Sequence, residues 1–240
     1  MTDENHGMYG LDLGKIDCLD TLLDAWEKTF DRDVYFNRDG IISNEHWMNA
    51  NVKILFVLKE TNKAKQNLTT AIQIALRSEK SGWWKGKVLR RVGRWAYGLA
   101  KYTGEVPSFE NAKACGKEAT WGVAYINMRK TAGGARTEAK SFDIHVKKYA
   151  PYIRRQIELI KPDIVVLGGT FRYLKRHVFP EMRHICTRIH KQGDMIFINA
   201  FHPAAVVDAC HIYNQVLSSY HNYKINYACE EIAPTEPARA

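Results

Sequence analysis

Residues 52–62 read Val-Lys-Ile-Leu-Phe-Val-Leu-Lys-Glu-Thr-Asn, and this stretch decides the fold. Its apolar centre, residues 54–58, is short and rich in branched and aromatic side chains, which is typical of a strand buried on both faces of a parallel sheet. A polar run that contains Lys59, Glu60 and Asn62 follows directly. Ligands bind at the carboxyl ends of strands in open α/β sheets, so Glu60 is the first candidate for chemistry. The alternative is that Lys59 and Glu60 form a solvated strand end.

Three more apolar runs have the same character, and helical patterns separate them. They are residues 122–127, 163–167 and 195–199, which end at Asn127, at Gly168-Gly169 and shortly before His202-Pro203. Helical connections between parallel strands cover both faces of a sheet, so the pattern predicts an α/β fold, a three-layer α/β/α sandwich around a mainly parallel four-stranded sheet. We expect one domain over residues 1–227 and a flexible tail at 228–240.

The composition is that of a globular protein with an excess of positive charge. The chain has 240 residues, of which 45% are hydrophobic, and its formal net charge is +9. No apolar run approaches the ~20 residues that a membrane span needs, and the polar amino terminus is not followed by the apolar segment of a secretory signal. We therefore expect a cytoplasmic monomer without membrane contact. The charge indicates a polyanionic partner.

The cysteines do not indicate a disulfide framework or a metal centre. The five of them are far apart and include no Cys-x-x-Cys pair: Cys18, Cys115, Cys186, Cys210 and Cys229. Such spacing is typical of reduced thiols. His184, Cys186 and His190 lie close together in sequence, but their spacing matches no common zinc finger and no fourth ligand is evident. We expect neither a metal nor another cofactor.

Basic residues are concentrated in two segments. Between Lys85 and Lys101 there are six basic residues and no acid. Several fall on the polar face of a helix predicted over residues 87–102, and a second cluster surrounds Gly133-Gly134. Both clusters are candidates for binding the phosphates of a polyanionic partner, with a solvated charged face as the alternative. The candidates are Lys87, Arg90, Arg91, Arg94, Arg129, Lys130 and Arg136.

Two adjacent tryptophans, Trp83 and Trp84, lie in a loop between Gly82 and Gly86. Aromatic side chains in such a loop form either a lid on the core or a stacking platform for a planar ligand. The sequence leaves both interpretations open.

The strand-end motifs, taken in their order along the chain, resemble those of the uracil-DNA glycosylase superfamily. Lys59-Glu60-Thr61-Asn62 takes the place of the family's first motif, with Glu60 matching the acid of its Gly-Glu-Ala-Pro variant. Residues 122–127, Gly-Val-Ala-Tyr-Ile-Asn, are similar to Gly-Val-Leu-Leu-Leu-Asn. Residues 150–170 resemble the segment that ends in a Gly-x-Thr turn, and His202-Pro203-Ala204 resembles His-Pro-Ser. The resemblance covers roughly residues 50–220, and the ordered series makes it specific.

The resemblance implies a DNA base glycosylase that removes uracil or another altered base without metal. Glu60 would position water and stabilise the sugar cation, His202 would donate to the departing base, and Asn127 would read the base edge. Lys59, Asn62 and the two tryptophans would contact the substrate. The chain departs from the family where Lys59 replaces Gly, Asn62 replaces Pro and Ala204 replaces Ser. The cysteines of the iron–sulfur subgroup are absent, so that cofactor is not implied.

Two other functions stay open at this point. The first is a catalytically silent module that binds nucleic acid through the basic surface and releases no base. The second is a hydrolase of a free nucleotide, in which Lys59 binds the phosphate of a small substrate. A likeness in fold does not decide among the three functions.

Overall fold

The computed structural model describes residues 11–63, 65–78, 82–134 and 137–228. These residues form an α/β fold built on one sheet. The strands are Gly40–Ile41 (β1), Ile54–Leu58 (β2), Val123–Asn127 (β3), Ile164–Gly168 (β4), Arg183–Cys186 (β5), Ile189–Gln192 (β6) and Met195–Ala200 (β7). The α-helices are Leu19–Glu27 (α1), Asn44–Met48 (α2), Leu68–Arg77 (α3), Gly82–Lys85 (α4), Lys87–Ala100 (α5), Phe109–Ala119 (α6), Ala139–Ile160 (α7), Phe171–Tyr173 (α8) and Ala209–Asn226 (α9). Short 3-10 helices span Leu13–Lys15 and Thr120–Gly122, and a π-helix spans Leu174–Val178.

Within the described residues, the sheet has seven strands in the order β1-β3-β2-β4-β7-β6-β5. The four predicted strands are β2, β3, β4 and β7, and they form its parallel centre. The prediction of a four-stranded sheet is wrong because β1 pairs antiparallel on one edge and the β5–β6 hairpin extends the other. The extra strands are short edge or hairpin strands, and polar residues interrupt their apolar pattern, so no continuous apolar run marks them.

Helices cover both faces of the sheet, and each face carries its own apolar core. Alternate residues of a strand point to opposite faces. On β2, Phe56 therefore packs with Trp95 of α5, whereas Leu55 packs in a cluster with Trp26 of α1 and Ile153 of α7. Both clusters are almost completely excluded from water. The layers thus follow the predicted α/β/α arrangement, although the sheet is wider than expected.

Two adjacent glycines allow close packing at the carboxyl edge of the sheet. A Cβ atom on Gly168 would lie 2.2 Å from Leu58 Cδ2 and 3.0 Å from Pro203 Cδ. Gly169 has a left-handed φ of +71°, and its N–H donates to the carbonyl of Ala200. A side chain at either position would push away the loop that follows β7, which carries His202.

In the described ranges, no helix has the length and apolar character required to cross a membrane. Of the predicted flexible tail at 228–240, only Ala228 belongs to the described residues.

Candidate functional site

A cavity of about 490 Å³ opens at the carboxyl edge of the parallel strands. It is bounded by the ends of β2 and β3, by α3 and the first turn of α5, and by the loop after β7. The structure brings six of the predicted site residues to this cavity: Lys59, Glu60, Asn62, Lys87, Asn127 and His202. The residues that follow β2 meet Asn127 because β2 and β3 are parallel neighbours. Leu58 is in register with Asn127, so the two strands end at the same level.

The Glu60 carboxylate is held in a fixed position beside the cavity. Its Oε2 atom accepts a hydrogen bond of 2.8 Å from Arg129 Nη1, and the Glu60 side chain is 4% exposed. Arg129 also donates to Ser141 Oγ and lies over the Phe142 ring. The carboxylate packs directly against Gly133, where a Cβ atom would lie 2.3 Å from Glu60 Cδ. A side chain at residue 133 would therefore displace the Glu60 carboxylate from this position.

The loops after β2 and β3 stay paired beyond the sheet. Gly133 N–H donates to the Thr61 carbonyl at 2.8 Å, and Lys63 N–H donates to the Gly133 carbonyl at 3.0 Å. Asn37 Nδ2 donates to Thr61 Oγ1 at 2.8 Å. These bonds hold the segment that carries Glu60 in one position.

Asn127 presents a buried acceptor that has no partner within the described part of the chain. The residue is 2% exposed, and its Oδ1 atom accepts no hydrogen bond. Its backbone N–H donates to Asp39 Oδ2 at 2.8 Å, which fixes the strand end. An unsatisfied buried acceptor costs about 1–3 kcal/mol, a cost that a ligand with a suitable donor would remove. The unpaired oxygen therefore points to ligand binding at this wall of the cavity.

His202 lines the cavity as a neutral imidazole. Burial, and to a lesser extent the charge of Lys59, lowers the pKa of His202 to about 4. The Ala204 N–H donates to His202 Nδ1 at 3.1 Å, so Nδ1 acts as the acceptor. The proton of the neutral ring then resides on Nε2. His202 is therefore equipped to donate a hydrogen bond to a ligand at neutral pH.

Behind the cavity lies a buried ion pair that sequence reasoning did not find. Lys130 Nζ contacts Asp39 Oδ1 at 2.6 Å and Gln156 Oε1 at 2.7 Å, and both charged side chains have no exposed surface. Burial lowers the pKa of Lys130, and Asp39 opposes this effect. Lys130 is thus inaccessible to solvent, so it cannot contact a DNA phosphate as the sequence predicted. Its role is to hold Asp39, which in turn holds the backbone of Asn127.

The other predicted phosphate-binding residues differ in their accessibility. Lys87 and Arg90 are exposed on α5. Arg91 is only 7% exposed and donates to backbone carbonyls, so it too is unavailable to a phosphate. Arg94 is half-buried over the Phe109 ring at 5.0 Å, and desolvation, followed by the nearby arginines, lowers its pKa. Arg129 is committed to Glu60.

Arg136 and the side chain of Trp83 lie outside the described residues. Trp84 is half-buried and packs against the core on the α5 side of the sheet. For Trp84 this placement favours a lid on the core over a stacking platform.

Sequence reasoning missed two further residues, Tyr125 in the cavity and Val206 on the loop that follows His202. Tyr125 lines the floor, and burial raises the pKa of its phenol, so the hydroxyl is neutral. Its position two residues before Asn127 on a strand is the signal that both share a face. Val206 is 95% exposed, four residues after His202. No sequence pattern distinguishes this exposed valine from a buried one.

No metal centre is evident in the part of the chain that the structure covers, where no three His, Cys, Asp or Glu side chains are close enough to hold an ion. His184 and His190 pair across the β5–β6 hairpin with their rings 5.0 Å apart. No protein-family model matches the chain, and no curated protein matches its sequence. Any functional assignment therefore rests on the residues of the cavity.

Proposed function

We propose that this protein is a base glycosylase that hydrolyses the N-glycosidic bond of uracil or another altered base in DNA. The observation that carries the proposal is the buried Oδ1 of Asn127, which has no partner among the described residues and lies in a cavity that Glu60 and His202 also line. A carboxylate, an unsatisfied amide and a neutral imidazole donor are the groups that this reaction needs, and in this chain they converge on one cavity.

The charges that develop in the reaction match these groups. Cleavage of the bond builds positive charge on the sugar and negative charge on the departing base. The Glu60 carboxylate, oriented by Arg129, stabilises the sugar cation and positions the attacking water. The Nε2–H group of His202 donates to the base oxygen as negative charge builds up there. Because His202 is already neutral at pH 7, this donation needs no prior protonation.

The side-chain amide of Asn127 selects which base binds. Its unpaired Oδ1 requires a donor, and its amide N–H₂ group offers a donor of its own. A ring N–H next to a carbonyl, as in uracil or hypoxanthine, satisfies both. A base that lacks the N–H leaves the buried oxygen unpaired, and polar sites of this kind discriminate by as much as about 10⁴-fold.

Features beside the cavity support DNA as the substrate. Lys87 borders the cavity and Arg90 is exposed on the same helix, so both can contact phosphates. Extruding a base from the duplex costs a few kcal/mol. The almost fully exposed Val206 side chain lies on the loop that carries His202, where it can occupy the gap that the base leaves.

A free nucleotide is the second candidate substrate. Burial of Arg91 and Lys130 removes two cations from the predicted DNA surface. Lys59 lines the cavity, and among the described residues no acid forms an ion pair with it, so its ammonium group can bind the phosphate of a small substrate. These observations give more support to a free nucleotide as the substrate, relative to DNA, than the sequence alone did.

The test is base release from a panel of substrates. Purified protein is incubated with oligonucleotides that carry uracil, hypoxanthine or a thymine mismatch, and with the corresponding free deoxynucleotides, and the released base is measured by mass spectrometry. Glu60→Gln should abolish release. Glu158→Gln is the matched control, because Glu158 also pairs with arginines but lies on α7, away from the cavity. Release from free deoxynucleotides alone would establish the second candidate, and binding of DNA without any release would contradict both.

A further inference from the structure

We infer that Arg91 is a positioning residue that fixes the tautomer of His202 through the loop of residues 203–207. The consequence for catalysis rests on the proposed function. The effect on the imidazole itself does not, because the position of its proton is measurable without any substrate.

The guanidinium group of Arg91 binds three carbonyls of this loop. Nη1 donates to the carbonyls of Pro203 at 2.9 Å and Ala205 at 2.8 Å, and Nη2 donates to the carbonyl of Val207 at 2.6 Å. Arg91 is 7% exposed, and within the described ranges no carboxylate pairs with it. A buried arginine that serves only backbone carbonyls is committed to the shape of one segment, because hydrogen bonds from a charged donor are strong and directional.

The link to His202 is a single peptide unit. The Pro203 carbonyl and the Ala204 N–H belong to the same planar group and point in opposite directions. When Arg91 holds the Pro203 carbonyl on one side, the Ala204 N–H is directed to the other side, where it donates to His202 Nδ1 at 3.1 Å. The Ala205 N–H closes the turn on the His202 carbonyl at 2.8 Å.

Without the guanidinium group, this peptide unit can rotate. A flipped unit would present the Pro203 carbonyl, an acceptor, to His202 Nδ1. The favoured proton position would then change to Nδ1, and Nε2 would become an acceptor. The imidazole would stay in place but would lose the donor that stabilises negative charge on the base.

The chain offers a matched control in Arg155. Its guanidinium group also binds backbone carbonyls, those of Gly14 and Ile16, and it is partly buried. It lies on α7, on the face of the sheet opposite α5. Loss of Arg155 therefore tests for the general effect of removing an arginine that holds a loop.

The decisive experiment is nitrogen NMR on protein labelled with ¹⁵N-histidine, with His202→Gln used to assign the ring signals. The parent protein and Arg155→Ala should show the Nε2–H tautomer at His202. Arg91→Ala should show a substantial fraction of the Nδ1–H form, and added guanidinium at non-denaturing concentration should restore the Nε2–H form. Arg91→Lys should be intermediate, since one ammonium group cannot serve three carbonyls, and it decides the question if Arg91→Ala does not fold. A folded Arg91 variant whose His202 keeps the parent tautomer would overturn the inference.

Kinetics then connect the tautomer to turnover. Loss of one donor to the negative charge that develops in the transition state costs on the order of 10²-fold in rate. We expect Arg91→Ala to lower kcat for base release by up to that factor with little change in KM, Arg91→Lys to lower kcat less, in line with its larger Nε2–H fraction, and guanidinium to restore part of the kcat of Arg91→Ala. Absence of base release in the parent would refute the proposed function, whereas the NMR result would still decide the role of Arg91.

Discussion

Replacing Gly133 by alanine is the sharpest structural perturbation of the candidate site. A Cβ atom at this position would lie 2.3 Å from both Cδ and Oε1 of Glu60, whereas ordinary contacts of a Cβ atom begin at 3.4 Å. The carboxylate must therefore move by about 1.1 Å, which is 3.4 minus 2.3. Glu60 can move because the clash involves the end of a flexible side chain and not the backbone.

The displacement has two consequences that can be separated. The 2.8 Å bond between Arg129 and Glu60 is stretched or broken, and a charge-assisted hydrogen bond contributes about 1.5–3 kcal/mol. For a chain of this size, a loss of that order lowers Tm by several degrees. Displacement of the carboxylate by about 1 Å should reduce the rate of base release on the order of 10²-fold.

The assay compares Gly133→Ala with Gly122→Ala. At Gly122 the nearest atom to a new Cβ is the His46 carbonyl oxygen at 3.8 Å, an ordinary contact, so this variant controls for the glycine-to-alanine change itself. Thermal unfolding and single-turnover base release are measured for both variants. If Gly133→Ala equalled Gly122→Ala in Tm and in rate, the inferred position and role of Glu60 would be wrong.

Three further predictions concern the interior, the imidazole and the basic surface. Lys130→Met leaves the fully buried Asp39 charge unpaired and should lower the free energy of unfolding, measured with urea, by about 3–5 kcal/mol. The double variant Lys130→Met with Asp39→Asn should recover most of this loss. A loss under about 1 kcal/mol in the single variant would contradict the buried pair. The pKa of His202 is lowered from 6.5 to about 4, so between these values the unfolded chain binds more protons and the free energy of unfolding should decrease as the pH falls through this window. His202→Gln should make that decrease smaller, and an unchanged pH dependence would refute the lowered pKa. Lys87→Ala with Arg90→Ala should weaken DNA binding and reduce the slope of log affinity against log salt by about 0.9 for each lost phosphate contact, whereas an equal slope would place the DNA elsewhere.

The parallel centre of the sheet and the carboxyl-edge cavity follow from sequence for one physical reason. Strands buried on both faces have continuous apolar runs, and their ends are marked by abrupt polar residues such as Glu60 and Asn127. Parallel strands end at a common edge, so these residues meet without further information. The edge strands escape prediction because they are short and carry His184, His190 and Arg183, whose polarity hides the pattern.

Whether an individual lysine or arginine side chain is buried or exposed cannot be predicted from the local sequence pattern. Arg91 follows Val88 by three residues and precedes Trp95 by four, so it borders the apolar stripe of α5 and turns inward, whereas its neighbour Arg90 turns outward. Lys130 is buried by Asp39, which is 91 residues away in the chain. Such long-range pairs depend on tertiary packing, and net charge therefore overstates the basic surface that DNA can reach.

The most direct test of the proposed site is a titration with free bases in which NMR detects their binding to the Asn127 amide. The protein is titrated with uracil and hypoxanthine, and with 3-methyluracil and 1-methylhypoxanthine, in which the ring N–H is replaced. Because Asn127 Oδ1 is buried and has no partner among the described residues, we expect an unmethylated base to shift the side-chain amide signals of Asn127 and its methylated counterpart to leave them unchanged at the same concentration. Equal binding of methylated and unmethylated bases, or binding that persists in Asn127→Ala, would show that the cavity does not read a base edge.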